Sequence, residues 1–231
     1  MNGDATEDRY LSTGCGSLDE LLGGGFKRGS VNQVYGPAAS GKTNLALQTA
    51  VEAIEEGGSV VYVDNEGLSL ERFKQIAGEK YEEVAKEFIV KEVYSFDEQV
   101  EAVKDVENLV SEVDLVVLDS ATGLYRVEAD ADNGETALKR LSRQITHLAS
   151  LARRYDVAVI VTNQVYTEVE TIEESFRPLG GNVVEHWSNT ITELVKQDQG
   201  LRKAVLEKHQ SKPAGEEARF EIVDDGLASL P

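Results

Sequence analysis

The chain has 231 residues, and 42 acidic side chains against 23 basic ones leave a formal net charge of −19. That length suits one α/β domain with a full sheet core, read here as an acidic tail over 1–10 followed by a single domain over 11–231. No apolar run approaches the roughly 18 residues needed to cross a bilayer. The acidic start, with Asp4, Glu7 and Asp8, has no apolar signal core, so a cytoplasmic protein without membrane contact is expected. The single cysteine, Cys15, excludes an internal disulfide and any multi-cysteine zinc site, and it reads as a small semi-buried residue near a turn. Acidity of this degree either keeps polyanions away or suits molar salt, where the Debye length shrinks to about 3 Å. Glu52, Glu55, Glu56, Glu82, Glu83, Glu87 and Asp105 are scattered over exposed helix faces and form no single block, which favours a halophilic source.

In chain order, a short helix is predicted over 18–22 with Ser17 as a possible cap. Gly23-Gly24-Gly25 precedes a strand, not a helix, and is therefore a turn. Residues 30–35 form an extended run. Then comes Gly36-Pro37-Ala38-Ala39-Ser40-Gly41-Lys42-Thr43, which fills the phosphate-binding pattern G-x-x-x-x-G-K-[ST] and opens into a helix running to about residue 56. Glycines at both ends let successive N–H groups turn inward as an anion nest, and the helix N-terminus adds partial positive charge. Lys42 reaches toward β- and γ-phosphates, and the Thr43 hydroxyl suits Mg²⁺.

Residues 59–64 read as a buried strand, 70–88 as a helical region broken near Gly78, 88–90 as a short strand, and 97–111 as an amphipathic helix. Another apolar strand, 115–119, ends on Asp119. A helix over 135–155 leads into the strand 157–163. The polar stretch 164–181 is too long for an ordinary connection and is a candidate functional loop. Beyond it, 190–196, 202–208 and 219–223 alternate apolar and polar residues as an antiparallel meander. Alternating strands and helices imply a mainly parallel, twisted sheet flanked by helices with an antiparallel C-terminal extension, and ligands outside the carboxyl ends of the strands.

Three further residues fall on that rim. Asp119 suits a magnesium-associated acid acting through water or Thr43, or else caps a helix or turn. Glu66 could polarise a water for attack on a γ-phosphate, or be a turn acid in Asp64-Asn65-Glu66-Gly67. Gln164 could hydrogen-bond the γ-phosphate or attacking water and report nucleotide state to the long loop, or simply begin that loop. No Ser-His-Asp set or metal-ligand cluster appears, and His147, His186 and His209 lie far apart in the sequence.

These motifs occur together and in order: Thr13-Gly14 with Leu18-Asp19-Glu20-Leu21-Leu22, the phosphate loop, Asp64-Asn65-Glu66-Gly67, Leu118-Asp119-Ser120-Ala121-Thr122, Thr162-Asn163-Gln164-Val165 and Pro178-Leu179-Gly180-Gly181-Asn182. The set resembles the RecA/RadA recombinase family over about 11–230. The resemblance implies a RecA-like P-loop ATPase core that binds ATP and Mg²⁺ through Gly36–Thr43. In it Glu66 is the catalytic carboxylate, Asp119 the Walker B acid, Gln164 the nucleotide-sensing amide, and Arg72 lies near the adenine. It also implies DNA-binding loops over 124–134 and 165–181, and a basic residue, Lys208 or Lys212, that reaches a neighbouring subunit's nucleotide in a homo-oligomer.

Two departures shape the expected function. Full-length members carry an N-terminal DNA-binding domain and a polymerisation linker, whereas about ten residues precede the core here, so filament assembly by that route is not expected. The first loop is acidic, with Glu128, Asp130, Asp132 and Glu135, and phosphate neutralisation dominates DNA affinity. Lys139, Arg140 and Arg143 on the following helix offer positive charge or pair with nearby acids. The family resemblance therefore points to an ATP-binding accessory of the main RadA-type recombinase in DNA repair, with weak hydrolysis and weak binding to single-stranded or branched DNA. A self-assembling strand-exchange enzyme and a non-DNA signalling ATPase of the same superfamily are the alternatives.

Overall fold

The computed structural model describes residues 9–131, 134–167, 176–178 and 182–230. Two short strands, β1 (Tyr10–Leu11) and β2 (Phe26–Lys27), pair antiparallel around helix α1 (Gly16–Leu22). Gly25 allows that pairing, because at φ +118° a Cβ there would stand 2.0 Å from the Leu11 carbonyl oxygen. The cap of α1 is not Ser17 but Cys15, which is buried and supplies no side-chain bond. Asp19 does the anchoring instead, accepting from the Thr13 N–H and hydroxyl, each at 2.7 Å, while Ser17 Oγ donates to the Arg219 carbonyl.

The chain then alternates strand and helix: β3 (Val31–Gly36), α2 (Lys42–Glu55), β4 (Val60–Asp64), α3 (Leu70–Ala77), α4 (Tyr81–Val84), β5 (Phe88–Glu92), α5 (Phe96–Asp105), β6 (Leu115–Asp119), α6 (Gly123–Ala131), α7 (Glu135–Tyr155) and β7 (Ala158–Thr167). A 3-10 turn at Gly78–Lys80 breaks α3 from α4 as the glycine suggests. The amphipathic stretch 97–111 is not one helix, since α5 ends at Asp105 and two 3-10 turns follow. The last third adds β8 (Phe176–Pro178), α8 (Asn182–Trp187), β9 (Ser188–Lys196), β10 (Leu201–Lys208), β11 (Glu217–Val223) and β12 (Gly226–Ser229).

The main sheet runs β12-β11-β10-β9-β3-β7-β6-β4-β5, with β8 paired to β7. From β9 to β5 the pairings are parallel, and from β9 to β12 antiparallel, so the meander extends the sheet as expected and gains an unforeseen fourth strand. Alternation along the strands sorts residues to two faces. Val34, Val60, Tyr62, Val117 and Ile160 pack toward α1 to α4, whereas Val31, Val61, Val116 and Val159 pack toward α5 and α7.

Two stretches expected as loops are partly regular. Residues 124–131 of the expected first DNA loop lie in helix α6, with 132–133 outside the described residues. In 164–181, β7 continues to Thr167 and pairs antiparallel with β8, Val165 opposite Pro178 and Thr167 opposite Phe176; the remainder lies outside the described residues. Gln164 is therefore a strand residue, its backbone fixed by the pairing with Gly36 on β3.

Candidate functional site

Parallel strands bring their carboxyl ends to one rim, and register decides which residues meet there. Gly36 lies beside Gln164 across β3 and β7, and Asp64 lies beside Asp119 across β4 and β6. Gly36 turns the chain out of β3 with φ +153°, and a Cβ on it would stand 2.3 Å from the Leu194 carbonyl oxygen. Only glycine fits where the central strand touches β9 so closely. Gly41, with φ +109°, precedes the first residue of α2, so the loop and the helix N-terminus form one concavity. Ser40 Oγ is buried there without a partner, a polar atom that an incoming oxyanion would satisfy.

Lys42 Nζ donates to the Gly36 carbonyl at 2.9 Å and the Pro37 carbonyl at 3.0 Å, folded back over its own loop. Burial lowers its pKa, and the charges of Asp119 and Glu66 oppose that. Asp119 is 1 % exposed and takes hydrogen bonds from Tyr62 Oη at 2.7 Å, from Thr162 Oγ1 and from the Thr43 side chain. Burial raises its pKa, those hydrogen bonds lower it, and the nearby charge of Glu66 raises it further. Magnesium fits this chemistry through the Thr43 hydroxyl, with the Asp119 carboxylate behind it. Among the described residues no group of three or more His, Cys, Asp or Glu could hold a metal by itself.

Glu66 sits on the turn after β4, which Asp64 fixes by accepting the N–H groups of Glu66, Gly67 and Leu68. Its Oε1 receives Ser120 Oγ and Gln164 Nε2, each at 2.6 Å. The structure thus brings Lys42, Thr43, Glu66, Asp119 and Gln164 to one rim and bonds Gln164 directly to Glu66. Asn65 ties the same turn inward: its Nδ2 donates to the Ser120 carbonyl and, at 2.8 Å, to Gln99 Oε1 on α5. Gln99 Nε2 donates to Gln144 Oε1 on α7 at 3.0 Å, so a chain of amides runs from half-buried Asn65 at the rim to two buried glutamines on two helices.

Arg72 lies beside α2, and its guanidinium is fully committed. It donates to Asn44, to Gln75 and to the carbonyls of Val223, Asp224 and Gly226. That arrangement clamps the β11–β12 turn onto the first turn of α2. Lys208 donates to the Glu185 carbonyl, and Lys212 to the Glu20 carbonyl and to Glu216, so both are engaged within their own chain. On α7, the helix after the expected first DNA loop, Lys139 pairs with Glu135, and Arg140 with Asp97 and Glu128.

Sequence reasoning missed Tyr62, Thr162, Ser120 and Arg202. The first two put a hydroxyl on an otherwise apolar strand, and Ser120 follows the strand-end acid directly; those are the signals that could have found them. Arg202 gives no local signal. Its Nη2 reaches the Ala39 carbonyl of the phosphate loop from β10, a contact created only by the meander.

Such a rim on a mainly parallel sheet with an antiparallel extension defines a RecA-like phosphate-loop protein. The Rad51 family profile matches residues 7–230, and the chain belongs to that family. It is 49 % identical over 225 residues to the DNA repair and recombination protein RadB of Halobacterium salinarum strain R1, covering 96 % of this chain and 95 % of that one. It is 45 % identical over 224 residues to the RadB of Methanococcoides burtonii, covering 96 % and 99 % respectively. A crystal structure of the RadB recombinase superposes with a TM-score of 0.82 at 40 % identity, over 96 % of this chain and all of that one. The Rad51/RecA family is in general ATP-binding and magnesium-dependent.

Proposed function

We propose that this protein binds ATP with Mg²⁺ at the rim and acts in DNA repair and homologous recombination as a cytoplasmic accessory of a RadA-type recombinase. We further propose weak ATP hydrolysis, weak contact with single-stranded or branched DNA, and a halophilic setting. The observation that carries the reading is the convergence of Lys42, Thr43, Asp119, Glu66 and Gln164 on one rim, in a chain so similar to proteins named for DNA repair and recombination.

Bound magnesium would neutralise phosphate charge and polarise the terminal phosphoryl group. The loop N–H groups and Lys42, freed from the Gly36 and Pro37 carbonyls, would bind the phosphate oxygens. Asp119 would hold the Thr43 hydroxyl toward the metal. Glu66 would take the proton of the attacking water as the water oxygen bonds to phosphorus and the bond to the leaving phosphate oxygen breaks. Gln164 Nε2 and the Ser120 hydroxyl both donate to Glu66 Oε1, so the water would meet the other carboxylate oxygen while Gln164 ties β7 to the base. That bond would let strand β7 sense the terminal phosphate.

The test is steady-state ATP turnover in molar KCl, with and without single-stranded DNA. Slow turnover that DNA changes little is expected. Turnover rising more than about 100-fold with DNA, a gain of about 2.7 kcal/mol in barrier lowering, would point instead to a self-assembling strand-exchange enzyme.

A further inference from the structure

At the opposite end of the sheet, where β3 and β7 begin, Arg9, Lys27, Arg28, Gly29, Arg153 and Asp156 line a cleft of about 390 Å³. We propose that this cleft is a DNA-backbone site that binds phosphodiester oxygens, distinct from the nucleotide rim. The proposal rests on the DNA-related function above and says where on the chain the contact falls.

Charge carries the argument. In a chain whose 42 acids outnumber its 23 bases, four bases from separate parts of the sequence share this cleft with one lining acid, Asp156. Arg28 spends part of its charge on Asp114, at 2.7 Å. Lys27 donates to the neutral Gln210 and keeps its full charge. Arg9 and Arg153 are exposed and pair with no acid among the described residues. Arg153 also complements the C-terminal end of α7, but that role explains neither Arg9 nor the Lys27-Arg28 pair, which come from other elements. By contrast, Lys139 and Arg140 near α6 are held by Glu135, Asp97 and Glu128.

The platform is built in place. The β1–β2 pairing sets Tyr10 against Lys27, the Arg28 N–H bonds the Arg9 carbonyl at 2.9 Å, and the Gly29 N–H bonds the Val157 carbonyl at 3.1 Å. A six-residue strand separates this end from the phosphate loop by about 20 Å. DNA held here would therefore leave the nucleotide site open.

The test is fluorescence anisotropy of a labelled single-stranded oligonucleotide, titrated over a series of KCl concentrations with the full chain and with Arg9→Gln/Arg153→Gln. Both positions are exposed, so thermal melting should match the parent; Lys27→Gln in the parent background provides an independent second variant. Affinity is expected to fall about tenfold or more in the double variant, with the slope of log K against log salt reduced by about 1.4 for two lost contacts at about 0.7 each. ATP affinity should be unchanged. Parent-like affinity and slope in both variants would overturn the site while leaving the DNA-related function standing. If the parent itself bound no DNA at any salt, both would fall.

Discussion

Asp119 shows how one side chain can be satisfied by its neighbours and still sit under electrostatic tension. Tyr62, Thr162 and Thr43 hydrogen-bond its carboxylate, yet burial dominates and its pKa lies above the usual 3.8. The folded state therefore keeps this proton to higher pH than the unfolded state does. Its contribution to stability is complete below about 3.8 and is lost as pH rises through the folded value. Asp119→Asn removes that titration. The melting temperature of the variant minus that of the parent is expected to grow more positive as pH is raised from about 4, in the absence of nucleotide and magnesium. A difference that is flat with pH would show that the group is not tensioned as described.

Among the elements, α5 and α7 reach the rim through amides as well as apolar contacts. Gln99 bridges Asn65 and Gln144 and also donates to the Ala121 carbonyl at 3.3 Å, wholly buried. Gln99→Leu keeps the volume but strands Gln144 Oε1 and weakens the hold on Asn65, at a cost of about 1–3 kcal/mol. Denaturant unfolding should register that loss. ATP affinity should stay within about twofold while turnover drops further, because the variant loosens Glu66 and not the phosphate cradle. Unchanged stability would mean the amide chain holds nothing in place.

The difference between what could and could not be read in advance follows the same physics. The phosphate loop, the strands ending at Asp64 and Asp119, and the helix Glu135–Tyr155 are written in local spacing and were legible. The Gln164–Glu66 bond, the Arg202 contact with Ala39 and the amide chain join residues 34 to 163 positions apart and depend on sheet order. The helical form of 123–131 was hidden because its acids read as a DNA loop placed by family resemblance, not by periodicity. Ser17 looked like a cap, but Asp19 reaching back to Thr13 took the anchoring role.

For the whole molecule, the charge of −19 is spread over a surface on which eight of the nine ion pairs resolved among described residues have at least one exposed partner. Self-repulsion of that size is relieved when salt shortens the screening length. The melting temperature is expected to climb steadily from 0.1 M to about 2 M KCl, and a flat profile would contradict a halophilic setting.

The proposed nucleotide binding by this protein rests on the phosphate cradle of Gly36–Thr43. Its most direct test is a calorimetric titration of ATP with Mg²⁺ into the parent protein and Lys42→Ala, in molar KCl. The parent should bind stoichiometrically, and saturating to about 100 times the dissociation constant should add about 2.7 kcal/mol of stability, a rise of roughly 5–10 °C in melting temperature. Lys42→Ala should lose that affinity without melting lower in the absence of ATP, because a cation already penalised by burial has been removed. Equal ATP affinity in the two proteins would contradict the account at its centre.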